Sequence, residues 1–483
     1  MNQHNGAAAF DVPPPPRRIF VNRNLRMDVI KAVGFDMDYT LARYRREHLE
    51  KLAHRLTVEK LIERGYPEEI RTVRYDPEYV IRGLTVDKEL GNILKLDRHD
   101  HVGRVMHGRQ HLDKRQRRQL YRKERLTFTP PRFAMVDTLF SLPEVCLYAD
   151  LVALLEKRPG GKIDTWQLFD DTRECIDEAH RDDSLKSIVR AALPDYIERD
   201  PLLGRTLHKL RSGGKKLFLL TNSAWDYTHT VMSHLLDGEL SEYPTWKRYF
   251  ELIVVAARKP SFFTGAEPFA ALDEQGAIVQ RPAARLEKGV VYQGGHRVGV
   301  ERAFGFSGEE ILYVGDHIYG DILRSKKASL WRTALIVEEL EGEIELTLRH
   351  RADIDALVAL EHQRRQLDER ANLQRQQLAA MERELGDDAR AATQFIALRR
   401  QRDQTKRQLK QALVDLDALG HRLDRAFNPH WGMMFKEAQE NSRFGEQVTE
   451  YACVYTSRVS NFLGYSTHQY FRSPGDVMPH ERS

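Results

Sequence analysis

Four short apolar runs recur along the chain, and each gives way to residues able to touch phosphate or metal. Ala32–Phe35 leads into Asp36, Lys216–Leu220 into Thr221, Asn222 and Ser223, and 252–256 into Arg258, Lys259 and Pro260. The fourth, Ile311–Gly315, ends at Asp316, with Asp321 five residues later. Short continuous apolar runs bounded by turn residues and separated by helical stretches predict parallel strands buried on both faces. In open α/β sheets the ligand site lies beyond the carboxyl ends of the strands, where all four polar clusters would fall. The predicted fold class is α/β, with a Rossmann-like core built on a parallel sheet.

Between Asp38 and Thr221 lie roughly 180 residues, far beyond the dozen or more that a crossover connection needs. An inserted domain is the economical reading. It opens with a predicted helix from Glu47 to Arg64, runs through a turn-rich segment from Arg82 to Lys95, and closes with helical pattern from Thr172 to Ala192. Such an insertion is expected to lie over the strand ends, excluding water and choosing the leaving group. After Thr333 the pattern changes. Leu357, Leu360, Leu367, Ala371, Leu378, Met381 and Leu385 recur at helical spacing, 386–388 break the helix, and Leu409, Leu413, Leu416, Leu419 and Leu423 follow. Two amphipathic helices in a hairpin are predicted, packing on their own domain or serving as an oligomerisation arm. The aromatic-rich tail from His430 is expected to pack back onto a core. The resulting division is a disordered start (1–17), a catalytic core (18–48 and 195–345), an inserted cap (49–194), a helical hairpin (346–428) and a C-terminal segment (429–483).

Composition narrows the functional classes. With 483 residues, 41% hydrophobic and 30% charged, the chain reads as soluble, globular and multidomain. A formal charge of +4 is small for this length and argues for neither nucleic-acid nor membrane binding. The run from Lys114 to Arg125 reads as a solvated helix face, with a polyanion site for RNA or a nucleotide effector as the alternative. Cys146, Cys175 and Cys453 are few, odd in number and outside any metal-binding pattern, which fits a reducing compartment. Pro13 to Pro16, then Arg17 and Arg18, lack the apolar stretch of a signal peptide, and no run is long enough to span a bilayer. A cytoplasmic location is expected.

The most informative chemistry is Asp36-x-Asp38 at the end of the first apolar run. Side chains at i and i+2 leave a strand on the same side, so both carboxylates can face one reacting phosphorus. One can attack while the other moves protons. A calcium loop would need further oxygen ligands within a few residues, and Tyr39, Leu41 and Ala42 supply none.

Taken in order, Asp36-x-Asp38-x-Thr40, Thr221-Asn222, Lys259, and Gly315-Asp316 with Asp321 resemble the four motifs of the haloacid dehalogenase-like phosphohydrolases. The resemblance implies that Asp36 attacks phosphorus to give an aspartyl phosphate, that Asp38 serves as general acid and then general base, and that Thr221 and Asn222 hold the phosphoryl oxygens. Lys259 would neutralise the nucleophile and the developing charge. It also implies Mg²⁺ held by Asp36, Asp316 and the main-chain carbonyl of Asp38, with Asp321 a ligand through water or an orienting group.

The flanking text, from Phe20 to Asn24, Gly34 to Ala42, Thr221 to Ser223, Ala257 to Pro260, Tyr313 to Leu323 and Val477 to Glu481, resembles the cytosolic purine 5'-nucleotidase family. That resemblance implies hydrolysis of IMP and GMP, phosphate transfer to nucleosides, and a homo-oligomer, dimer or tetramer. It places base recognition on Phe140, Arg173, Asp177 and His180, the last three on one helix face at i, i+4 and i+7. Animal members also bind a nucleotide effector. Here Thr127 and Asp137 replace an arginine and an asparagine of that site, and Tyr319 replaces a phenylalanine, although Lys327 persists. A phosphatase of other small phosphate esters, indifferent to Arg173 and Asp177, and a helical adaptor without catalysis are the alternative readings.

Overall fold

The computed structural model describes residues 13–121, 127–158, 163–283, 285–318, 321, 330–476 and 481. The segment up to Glu341, insertion included, forms one compact unit with the segment from Met434, and Gly342–Met433 forms a second. Tyr319, Lys327, 122–125 of the basic run and 477–480 of the family-like ending lie outside the described residues.

All four apolar runs become adjacent strands of one ten-stranded sheet. Ala32–Phe35 is central, flanked in parallel by Lys216–Leu220 on one side and Ile311–Gly315 on the other. Leu252–Val255 and Val291–Gly294 extend one wing in parallel, Arg332–Ile336 and Val454–Thr456 the other. Antiparallel pairs close both edges, Phe20–Val21 on Val454–Thr456 and the Phe269–Leu272 with Ile278–Gln280 hairpin beyond Val291–Gly294. The central strands are apolar without alternation because both of their faces are covered. The sheet buries a cluster in which the aromatic rings of Phe218, Phe262, Phe263, Tyr292, Tyr313 and Trp331 pack among aliphatic residues. Gly34 matters here: a Cβ at this position would stand 2.2 Å from the Phe218 ring.

The insertion holds more strand than its sequence suggested. Helix Arg46–Glu63 opens it, but the segment expected to be turn-rich contributes Thr85–Asp87 and Asn92–Leu96 to a five-stranded antiparallel sheet. Val102–His107, Gln110–His111 and Phe133–Met135 complete that sheet. Positive-φ glycines at Gly83 and Gly91 bracket the first of these strands and explain the misleading turn signal. The helical stretch expected over 172–192 is two helices, Thr165–Arg181 and Ser184–Ala191, separated where Asp183 adopts φ +68°.

The C-terminal segment returns to the first unit. Val454–Thr456 joins the main sheet, Tyr470–Phe471 pairs with Leu25–Arg26, and buried Lys95 of the inserted sheet donates to the Lys436 carbonyl at 2.6 Å. The start of the chain, expected to be disordered to residue 17, is ordered over its described part. Pro15–Arg17 form a turn of 3-10 helix, and Ser457 donates to the Pro16 carbonyl. In the second unit, Arg351–Leu385 and Thr393–Phe427 pack on each other through Leu367, Leu378, Phe395, Leu416, Leu419 and Leu423. Leu385 and Leu413, read as part of the apolar stripe, are exposed. No helix among the described residues is long and apolar enough to cross a membrane.

Gly34→Ala is expected to cost about 1–3 kcal/mol of stability by driving a methyl group into the Phe218 ring. Chemical denaturation of this variant, and of Gly34→Ala with Phe218→Leu, checks it: the second change should recover part of the loss.

Candidate active site

Parallel pairing brings the strand ends together. The Asp36 amide donates to the Val314 carbonyl at 2.9 Å and the Thr221 amide to Val254 at 3.0 Å, so adjacent strands deliver their first polar residues to one edge. Lys259 is the hub. Its Nζ lies 2.8 Å from Asp36 Oδ2 and 2.7 Å from Asp321 Oδ1, and it donates to the Tyr313 hydroxyl at 3.0 Å. Asp36 Oδ1 accepts the Met37 amide at 2.7 Å, which fixes the carboxylate plane. Asp321 Oδ2 accepts the His317 amide at 3.3 Å. Gly315 is required by this packing, because a Cβ there would meet Asp321 at 2.6 Å.

One carboxylate oxygen from each of Asp36, Asp316 and Asp321 lies within 4.8 Å of the others, and all three residues are buried. Burial pushes the Asp36 carboxyl up to about 8; Lys259 opposes this, while Asp321 and Asp38 add to it. Asp316 is raised well above the carboxylate range by burial and by Asp321 and Asp36. Three acidic groups with one lysine therefore carry more negative charge than the protein neutralises. Hard oxygen donors clustered in this way fit a divalent cation, which would restore the ionised state of each carboxylate.

Asp38 points elsewhere. Its Oδ1 accepts the Tyr44 hydroxyl at 2.6 Å and its Oδ2 the Ser223 hydroxyl at 2.9 Å, while the Tyr44 and Tyr227 hydroxyls are 3.0 Å apart. Its carboxylate is thus outside the cluster of Asp36, Asp316 and Asp321. Asn222 secures the opposite rim: its Oδ1 accepts the Lys259 amide at 2.6 Å and its Nδ2 donates to the Lys259 carbonyl at 3.1 Å. That clasp holds the bend at Ala256 and Arg258, both at positive φ.

These groups open into a cavity of about 370 Å³, within the size range of small-molecule sites. Its lining includes Asp36, Asp38, Asn222, Lys259, Asp316 and Asp321, and the insertion supplies Phe140, Asp177, His180 and Lys186. Phe140 meets the rings of Tyr39 and His180 edge-on, at centroid distances of 4.8 and 5.3 Å. Burial first, and Lys186 second, lower His180 to about 4, so its imidazole is neutral at physiological pH.

Two expected site residues do not line this cavity. Thr221 is fully buried and its hydroxyl accepts the Ser223 amide at 3.0 Å, so it shapes the turn while Ser223 faces the cavity. Arg173 shares a helix with Asp177 and His180, but its Nε donates to buried Glu144 at 2.8 Å and its guanidinium lies 5.4 Å from the Phe169 ring. Glu144 is pushed to about 6 by burial, and Arg173 is the cation that opposes this. Of the residues weighed for an effector site, Asp137 lies 3.8 Å from His317 across a His–carboxylate pair.

Tyr44, Tyr227, Arg82 and Glu339 were not singled out from sequence, and Ser223 only as the last of the three polar residues that close the second apolar run. Ser223 follows Thr221-Asn222 directly, and Tyr227 stands four residues further, at the start of helix Trp225–Leu236. Adjacency was the available signal. Arg82 carried none: fully buried, it pairs with Glu339 through two nitrogens at 2.8 and 2.5 Å and donates to the Asp316 carbonyl at 3.0 Å.

Residues 19–483 match the family model described as 5' nucleotidase family. A 5'-nucleotidase domain-containing protein of Dictyostelium discoideum is 28% identical over 479 residues, covering 96% of this chain and 75% of its own. The 5'-nucleotidase domain-containing protein 2 of Rattus norvegicus is 31% identical over 350 residues, and the chain covers 68% of itself and 61% of that relative. Among solved structures, a 2-haloacid dehalogenase from Pseudomonas syringae aligns at 15% identity over 64% of this chain and 86% of its own, with a TM-score of 0.22.

His180 makes acid sensitivity testable. A histidine whose folded-state pKa is near 4 contributes stability that is complete above its unfolded value of about 6.5 and is lost as pH falls toward 4. His180→Gln removes that contribution. Thermal unfolding at pH 7 and pH 4.5 should therefore show a smaller drop for the variant than for the wild type.

Proposed function

Because this chain belongs to the 5' nucleotidase family of hydrolases, we propose that it is a Mg²⁺-dependent 5'-nucleotidase acting on purine nucleoside monophosphates such as IMP and GMP. The observation that carries this reading is the meeting of Asp36, Asp38, Lys259, Asp316 and Asp321 around one cavity that Phe140, Asp177 and His180 also line.

Asp36 is the nucleophile. Its Oδ1 is held by the Met37 amide and its Oδ2 by Lys259, which leaves the carboxylate oriented with a cation beside it. Attack on phosphorus forms an aspartyl phosphate and releases the nucleoside oxygen. Asp38, held by the Tyr44 and Ser223 hydroxyls, protonates that oxygen, then takes a proton from the water that hydrolyses the intermediate. Lys259 and the Asn222 and Ser223 rim stabilise the phosphoryl oxygens as charge spreads over them. Asp36, Asp316 and Asp321 would hold a divalent ion, which would supply further neutralisation of that charge.

For the base, the purine ring stacks against Phe140, and Asp177 and neutral His180 offer polar contacts at its edge. Arg173 reaches the base only by leaving Glu144, so in the described arrangement it acts by neutralising Glu144 and bordering Asp177. Phosphate transfer from Asp36 to a second nucleoside follows the same steps with a nucleoside hydroxyl in place of water.

Two experiments test the reading. Phosphate release from IMP, GMP, AMP, CMP and glucose 6-phosphate should favour the first two, and should vanish with chelator and with Asp36→Asn. Equal turnover across the panel would favour a general phosphatase. Separately, millimolar Mg²⁺ should raise the thermal midpoint of the wild type and leave that of Asp316→Asn nearly unchanged, since only an intact carboxylate set binds the folded state.

A further inference from the structure

We propose that Tyr44, backed by Tyr227, is a positioning residue that pins one oxygen of Asp38 and thereby assigns the proton-transfer role to the other. The inference rests on the reading of Asp38 as general acid and base, and deepens it.

The argument is one of hydrogen-bond arithmetic. Tyr44 is buried at 3% exposure and has one hydroxyl proton. An ionised carboxylate has none to give, so the 2.6 Å contact with Asp38 Oδ1 commits that proton to Asp38. The 3.0 Å contact between Tyr44 and Tyr227 must then be donated by Tyr227, and the chain runs from Tyr227 through Tyr44 to Oδ1. A phenol keeps its proton at neutral pH, so both hydroxyls act as donors.

Oδ1 is therefore held by a donor whose alternatives are taken. Oδ2 faces Ser223, whose hydroxyl donates at 2.9 Å and is free to turn about its own bond and accept instead. When Asp38 carries its proton, Oδ2 is the oxygen that holds it. In the first step that proton passes from Oδ2 to the departing nucleoside oxygen as the P–O bond breaks and the Asp36–phosphorus bond forms. In the second, Oδ2 takes one proton of the attacking water as the Asp36–phosphorus bond breaks. All four residues, Asp38, Tyr44, Ser223 and Tyr227, line the same cavity as Asp36.

Loss of an acid that must protonate a poor leaving group is felt by that leaving group alone. The test compares kcat/KM, which reports steps only through release of the first product, for IMP and for p-nitrophenyl phosphate. The p-nitrophenolate ion leaves without help. Tyr44→Phe should lower kcat/KM for IMP by about tenfold or more, part of the 10²–10⁴-fold contribution of general acid catalysis, while changing the p-nitrophenyl phosphate value less than about threefold. Tyr227→Phe should lose in the same sense by a smaller factor, and it keeps the test decisive if Tyr44→Phe turns over neither substrate. Equal losses on both substrates, or none, in these variants while Asp38→Asn stays selective would overturn the positioning role and leave the acid role standing. An Asp38→Asn variant that loses both substrates equally would overturn the acid role and this inference with it.

Discussion

Everything at this site depends on holding three buried carboxylates close together beside one lysine. At an effective dielectric near 20, like charges 4 to 5 Å apart repel by about 3 to 4 kcal/mol per pair. Lys259 offsets part of this by bridging Asp36 and Asp321, but Asp316 keeps its raised proton affinity. Such a cluster persists only if the backbone beneath it cannot relax. The parallel ladder from Arg332–Ile336 across to Leu252–Val255 provides that rigidity, with Asp36 and Asp316 on the residues where the ladder stops.

Support also comes from outside the sheet. Arg82 belongs to the insertion, Glu339 follows the Arg332–Ile336 strand, and the Asp316 carbonyl sits at the strand end between them. Phe444 of the returning C-terminal segment lies 5.3 Å from the Arg82 guanidinium. The Asp316 loop is thus tied to three distant stretches of chain by one buried cation. Removing one partner from such a pair leaves an uncompensated charge in the interior, which is why burial here demands the full set.

The two carboxylates of Asp36-x-Asp38 show how one spacing yields two environments. Asp36 sits against Met37, Lys259 and the acidic cluster; Asp38 sits among hydroxyls from Tyr44 and Ser223. On the proposed reading this division separates nucleophile from proton carrier. A cationic partner favours the ionised attacking group, whereas reorientable hydroxyls tolerate either protonation state.

Local pattern was enough for the four core strands, for Asp36, Asp38, Lys259, Asp316 and Asp321 at their ends, and for the helical hairpin. In each case the signal lies within a few neighbouring residues: an apolar run closed by a polar turn, or leucines at helical spacing. The inserted antiparallel sheet was illegible because Gly83 and Gly91 speak of turns while the short strands beside them, Thr85–Asp87 and Asn92–Leu96, carry no alternation in burial. Arg173 looked equivalent to Asp177 and His180 because helical spacing places all three on one face; Glu144, a buried carboxylate 29 residues away that needs a cation, decided otherwise. Thr221 and Ser223 exchanged places for a similar reason, since the turn geometry turned one hydroxyl inward and the other toward Asp38. Sequence determined which residues arrive at the strand ends, because strand periodicity is local. Only the tertiary structure decided which of them face the cavity and with which partners, because hydrogen bonds and ion pairs between Tyr44, Tyr227, Arg82 and Glu339 join positions that no local pattern relates.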